Sequence, residues 1–249
     1  MCGRERPTMR SRRSATGQRA IQNKIKELIL ARHLQTGDPI PTENELVEHL
    51  DVSRNSVREA LKVLQALGIV EVRHGLGTYV GDGSLEALTD GLVFRGQRSL
   101  RGDRRDIREL VELRETLEAG LINQAIAVST DDNLKRLHQR FLELEKVAGT
   151  GAAGDLADRA FHEQLYAPLA NRLLSQLLAV FWDVYHDLSP ELGTEQLDPE
   201  SIIEDHRAIY LAMADRHAAR ATAAVIGHFS GIRRRLERLD AQRGAEQAD

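Results

Sequence analysis

The chain has 249 residues, room for one large domain or two ordinary ones, and at 41% hydrophobic it can fill a core. Charged residues at 29% and aromatics at only 4% describe a soluble, helix-rich chain, because strands favour aromatic and β-branched side chains. No run of 18 uncharged apolar residues is present, no apolar stretch follows the N-terminal arginines, and Cys2 is the only cysteine; these exclude a membrane-spanning helix, a secretory signal and an intramolecular disulfide, and fit a reducing cytoplasm. Residues 1–80 carry 13 Lys and Arg against 9 Asp and Glu, a net of +4, while the remainder carries 21 against 29, a net of −8. A basic front and an acidic back suggest two domains with different partners.

In chain order, residues 1–18 are rich in Arg, Ser and Gly with little to bury and read as a disordered basic arm, with Met9 as an alternative start. Ile21, Ile25, Leu28 and Ile29 then recur at helical spacing up to about Leu34. Thr36-Gly37-Asp38-Pro39 makes a turn, and Thr42 is a good N-cap for a short helix, Glu43 to Leu50. After the turn Asp51-Val52-Ser53, a longer helix carries Val57, Ala60, Leu61, Leu64 and Leu67 and stops at Gly68. Ile69, Val70 and Val72, a tip from Arg73 to Gly77, and Thr78-Tyr79-Val80 read as a β-hairpin. Three helices followed by a hairpin wing form a winged helix-turn-helix over residues 19–81.

Residues 82–104 read as a linker, with a possible short helix from Leu85 to Phe94 and an irregular stretch from Gly96 to Asp103. Helical periodicity then dominates residues 105–240, broken at Ser129, Gly149–Gly154, Ala170-Asn171, Ser189–Pro199 and Asp215, with a frayed tail over 241–249. The expected fold is therefore mostly α: the winged helix followed by an all-α bundle of about six to seven helices.

The second helix of a helix-turn-helix lies in the major groove with its N-terminal residues at base edges. Here these are Ser53, Arg54, Asn55, Ser56 and Arg58. Arginine bridges guanine O6 and N7, asparagine pairs with adenine, and serines at a helix N-terminus suit phosphate. The hairpin tip adds Arg73 and His74 beside Gly75 and Gly77, where the backbone can approach a duplex closely. A solvated, arginine-bearing helix face is the ordinary reading of such residues singly; the turn spacing and the basic tip together favour double-stranded DNA.

These residues carry a resemblance. Pro41-Thr42-Glu43, Glu45-Leu46, the run from Val52 to Leu61, Leu64, Gly68, Arg73-His74-Gly75 and Gly77 to Val80 resemble the DNA-binding domain of the GntR family over roughly Ile21 to Val80. The resemblance implies recognition-helix contacts at Arg54, Asn55, Ser56 and Arg58 and wing contacts at His74 and Gly75. Asn44 stands where some members have arginine, and Ile40 where leucine is usual.

In the second half, Arg114 lies in the stripe of Ile107, Leu110, Val111, Leu117 and Leu121. Asp158 and His162, four residues apart, share the stripe of Phe161, Leu165 and Leu169; His206 falls with Ile202, Ile209 and Met213, and His228 with Ala221, Val225 and Ile232. Buried charge and imidazole are costly unless paired or metal-bound. One Asp and three His directed into one bundle suit Zn²⁺ or another first-row divalent ion, while satisfied core histidines remain the alternative on pattern alone. His186 falls off its stripe and His138 on a shoulder, and His217 lies at a helix start as a bystander or a supporting group.

Glu112-Leu113-Arg114, Leu117-Glu118, Asp158, Phe161-His162, Leu165, Ala170-Asn171, Leu174, Asp205-His206, Ile209, Asp215, Ala224-Val225 and His228-Phe229 resemble the FCD effector domain of the FadR-type subfamily over roughly Ile107 to Leu236. Asp205 replaces a common Glu and Val225 a common Met, and neither change removes a ligand. The resemblance implies a divalent ion on Asp158, His162, His206 and His228, with Zn²⁺ first and Ni²⁺ or Mn²⁺ as alternatives. It also implies a small carboxylate effector held by the ion and by Arg114, with Glu118 assigned beside it.

The expectation is a homodimeric, cytoplasmic regulator, a repressor, whose operator affinity is set by that effector, with no membrane partner and no catalysis. A metal sensor, a metalloenzyme on a DNA-binding head (Glu118 its one candidate base) and an architectural DNA binder are the alternatives.

Overall fold

The computed structural model describes residues 9–192 and 198–246. Residues 1–8, with Cys2, and 247–249, assigned by sequence to the basic arm and the tail, lie outside them. The chain forms two compact units, residues 1–87 and 88–249.

In the first unit, α1 (Met9–Ala31), α2 (Glu43–Leu50) and α3 (Arg54–Ala66) precede the antiparallel strands β1 (Val70–Arg73) and β2 (Gly77–Val80). Ile25, Leu46, Val57, Ala60 and Leu64 are fully buried and form the centre of one core. Both helices of the helix-turn-helix start on local chemistry. Thr42 caps α2 in a reciprocal box with Glu45, and the Ser53 side chain accepts from Ser56 N at the start of α3. The hairpin pairs Val70 with Val80 and Arg73 with Gly77. Gly68, at φ +65°, ends α3, and a Cβ on Gly81 would lie 2.2 Å from the Gly68 carbonyl oxygen. Only glycine permits that closure.

α1 takes in the last ten residues of the stretch read as a disordered arm. Arg, Ala and Gln extend an existing helix well without burying anything, so a lack of apolar residues does not by itself end one.

The second unit contains α4 (Glu86–Leu100), α5 (Arg105–Val128), α6 (Asp131–Val147), α7 (Ala152–Tyr166), α8 (Arg172–Leu188), α9 (Pro199–Ala214), α10 (Ala218–His228) and α11 (Ser230–Glu246), with short 3₁₀ turns after α7 and α8. The sequence breaks at Ser129, Ala170-Asn171 and Asp215 fall at helix ends, Ser129 and Asp215 as C-caps and Asn171 as the N-cap of α8. Four differences stand out. α4 runs through Gly96, where a Cβ would meet Leu188 Cδ1 at 2.4 Å, so this glycine permits close packing and does not stop the helix. α7 starts inside the glycine-rich stretch at Ala152. The final helix is two, divided at Phe229. α11 also continues beyond residue 240, where a tail was expected. The core joins Ile122, Leu137, Leu144, Phe161, Leu165, Ile209 and Val225 from five helices.

Candidate nucleic-acid interface and metal centre

On the first unit, Ser53, Arg54, Asn55 and Arg58 are exposed at the start of α3, and Arg73, His74 and Gly75 at the wing. Ser56 is half-buried, its hydroxyl 2.8 Å from that of Ser53. The arginines are held by neighbours. Arg54 Nη2 donates to Asn44 Oδ1 at 2.6 Å, and Arg58 lies 3.1 Å from Glu43 Oε2. Arg73 donates to Glu71 at 2.9 Å, and its guanidinium lies 4.3 Å from the centre of the Tyr79 ring. Sequence reasoning did not assign Glu43, Asn44, Glu71 and Tyr79. The strand register, which puts Tyr79 opposite Glu71, is the signal that finds the last two.

In the second unit, α7 supplies Asp158 and His162 one turn apart, α9 supplies His206 and α10 ends on His228. Their four donor atoms all lie within 4.8 Å of one another. His162 is 3% exposed and His206 not at all. His162 Nε2 faces His228 Nε2 at 3.2 Å, and His206 Nε2 lies 2.5 Å from Asp158 Oδ1.

The outer nitrogens orient the rings. His162 Nδ1 lies 3.0 Å from Glu118 Oε2, and an ionised carboxylate only accepts, so Nδ1 carries the hydrogen and Nε2 the lone pair. His206 Nδ1 donates to the Ile202 carbonyl at 2.7 Å, which likewise turns its Nε2 lone pair inward. That lone pair would repel the nearby Asp158 oxygen unless both atoms bind one cation or Nε2 is protonated. The contact is not aligned as a hydrogen bond, and His206 Nε2 and His228 Nδ1 are buried without hydrogen-bond partners among the described residues. The donor set and its orientation fit a divalent ion.

Electrostatics follow the same geometry. Burial alone would raise the Glu118 carboxyl, but Arg114 and then His162 outweigh it and hold it at about 2. Burial opposes ionisation of Asp158 too, yet His206, then His162 and His228, hold it below the usual carboxylate range. Burial lowers His206, but Asp158 more than compensates and raises it; burial, His206 and His162 push His228 well below the ordinary imidazole value.

Arg114 is 9% exposed and gives its Nε to Glu118 Oε1 at 2.6 Å. It lines a cavity of about 550 Å³ shared with Asp158, His206 and His228. Glu118 does not line that cavity: its carboxylate is engaged by Arg114 and His162, behind the donor cluster, so it positions those two residues where an effector contact had been expected. His186 is exposed, and the His217 ring caps α10 by accepting from Arg220 N, outside the cluster.

A winged helix with an arginine-bearing second helix, on a chain that also holds a cavity with an Arg, an Asp and two His on its wall in a helical bundle, defines a ligand-controlled DNA-binding regulator. The sequence matches the description "Bacterial regulatory proteins, gntR family" over residues 18–80 and "FCD domain" over residues 109–231. The HTH-type transcriptional regulator LutR of Bacillus subtilis (strain 168) is 30% identical over 204 residues, covering 80% of this chain and 91% of the relative. The Uxu operon transcriptional regulator of Escherichia coli (strain K12) is 29% identical, covering 85% and 83%. The structure of a Streptococcus agalactiae GntR is similar with a TM-score of 0.63 and 29% identity, covering 87% of this chain and 99% of that one. The chain belongs to the GntR family of bacterial regulatory proteins and carries an FCD effector domain. It is a transcriptional regulator, and the metalloenzyme alternative is set aside with that membership. None of the described helices is long and apolar enough to cross a membrane.

Proposed function

We propose that this regulator is a homodimeric repressor, placed with the chromosome in the cytoplasm, whose grip on its operator is controlled by a small carboxylate at a divalent metal site. The observation that carries this reading is the convergence of Asp158, His162, His206 and His228 on one point beside a cavity lined by Arg114. Four protein donors suit Zn²⁺ and leave positions for an exogenous ligand on an ion that accepts five or six. A bound ion there supplies a Lewis-acid anchor for a carboxylate or hydroxy acid. Arg114 adds a guanidinium fork for carboxylate oxygen, and Glu118 fixes both Arg114 and the His162 ring. An effector that fits one bundle packing better than another changes operator affinity by that differential binding free energy.

At the DNA, Arg54, Asn55 and Arg58 read base edges, while Ser53, Ser56, Arg73, His74 and Gly75 hold backbone. A dimer presents two such heads to the half-sites of a two-fold operator.

The test is elemental analysis of full-length protein purified without chelator or His-tag, alongside operator binding with and without carboxylates. We expect about one divalent ion per chain, lost in His206→Ala together with the carboxylate response while ligand-free operator affinity remains. A metal-free protein that also refuses added Zn²⁺, Ni²⁺ and Mn²⁺ would overturn the metal centre. Retention of metal in Arg114→Ala with loss of the response would assign Arg114 to the effector; loss of metal in that variant would contradict the assignment. Metal-dependent operator affinity with no carboxylate effect would favour a metal sensor.

A further inference from the structure

Trp182, on α8, is the chain's one tryptophan and is 5% exposed. It lines the same cavity as Arg114, His206 and His228. Its indole Nε1–H is buried with no acceptor among the described residues. An indole N–H can only donate, so it is satisfied by a protein acceptor, by water or by a ligand. Left without an acceptor, that donor costs stability that a phenylalanine ring at the same place would not lose.

Its neighbour is informative. The Arg114 guanidinium carbon lies 5.6 Å from the centre of the Trp182 ring and 5.4 Å from that of Phe229. The chain's one indole ring therefore packs beside the cation assigned to the effector, and its residue lines the cavity that also carries the donor cluster, with Nε1 itself buried. Arg235, 9% exposed, lines this cavity as well. One carboxylate would bind an ion held by Asp158, His162, His206 and His228; the volume of about 550 Å³ leaves room for a ligand with a second polar end.

We infer that Trp182 Nε1–H and Arg114 together read a second carboxylate on the effector, which makes the effector a dicarboxylic hydroxy acid and Trp182 the residue that separates it from monocarboxylic ones. This rests on the metal-and-carboxylate reading above. Nε1 is screened from solvent, so seating the second carboxylate shifts the indole or what covers it. The shift falls on α8 where it packs on α5, which ties occupancy of this subsite to the packing of the bundle.

The experiment uses the full-length, zinc-loaded protein titrated with L-malate and with L-lactate, which share the hydroxy-acid end and differ in the second carboxylate. Trp182 emission and calorimetric affinity are the readouts. Wild type should bind malate at least about tenfold tighter than lactate, with an emission change for malate only. Trp182→Phe should keep its zinc and lose about tenfold in malate affinity, with lactate affinity unchanged. The inference is overturned if Trp182→Phe keeps the malate preference, if both acids weaken equally, or if wild type does not distinguish them. Should the variant fail to fold, wild-type emission decides alone, and a signal that ignores malate at saturation overturns the inference. Zinc retention with neither acid binding would overturn the carboxylate reading beneath it; failure to hold zinc would overturn the metal centre itself.

Discussion

The two units keep the arginines assigned to ligand or DNA in opposite ways. On α3 and the wing, Arg54, Arg58 and Arg73 are exposed, each resting against a neighbour that water or a phosphate can replace. In the bundle, Arg114 is buried and fixed through Glu118 to His162. Exposed pairs contribute roughly 0–1 kcal/mol because solvent screens them and long side chains lose entropy on pairing. A buried pair has already lost its hydration, so removing one partner strands the other. Function and stability should therefore separate cleanly in the first unit and be entangled in the second.

The largest effect expected from this contrast is in Glu118→Ala. It leaves the Arg114 charge unpaired and the His162 ring unsupported, and should lower unfolding stability by about 3–5 kcal/mol in denaturant titrations. A loss below 1 kcal/mol would mean that the bundle tolerates a stranded charge and that the contrast is false.

Acid titration sharpens the same point. The Glu118 carboxyl is held at about 2 against an ordinary value of 4.5, so its folded form binds a proton less readily than its unfolded form. Its contribution to stability, on the order of 3 kcal/mol, is fully present above pH 4.5 and is lost as pH falls from 4.5 through about 2. Glu118→Gln should flatten the stability slope in that window relative to wild type. An unchanged slope would reassign the acid sensitivity to other carboxylates.

Arg58→Ala sits on the other side of the comparison. It should weaken specific operator binding by ~1–3 kcal/mol while moving stability by less than about 0.5 kcal/mol. Equal losses on operator and random DNA would make Arg58 a phosphate contact.

The smallest effect is that of Asn44→Ala, which frees Arg54 from its acceptor without removing a charge. Operator affinity should fall by under about 1 kcal/mol, with the residual loss abolished in an Arg54→Ala background. Additive losses would show that Asn44 touches DNA on its own.

The same contrast governs what could be read from the sequence. Thr42 and Ser53 announce their helices because a cap is a contact over three residues, and the wing follows from alternation and glycine. The four donor residues are legible because helical stripes tell which side chains turn inward. Periodicity gives a face, however, and not what stands opposite it. The Glu118 contact with His162 spans 44 positions, and the sequence offers no local sign of it. Nothing local in the sequence marks the stranded N–H of Trp182. Gly96, which answers to a distant Leu188, and the division at Phe229 are likewise not encoded by composition.

The glycine closure at the base of the wing has a practical side. Gly81 N donates to the Ile69 carbonyl and Gly83 N to that of Gly68, so the DNA-binding unit is tied to itself just before the chain leaves it. The knot is made wholly of residues on one side of the crossing point. Recombination or deliberate grafting just after Ser84 would exchange the sensing half without untying the reading half. A lineage, or an engineer, can thereby give one operator a new signal with a single crossover.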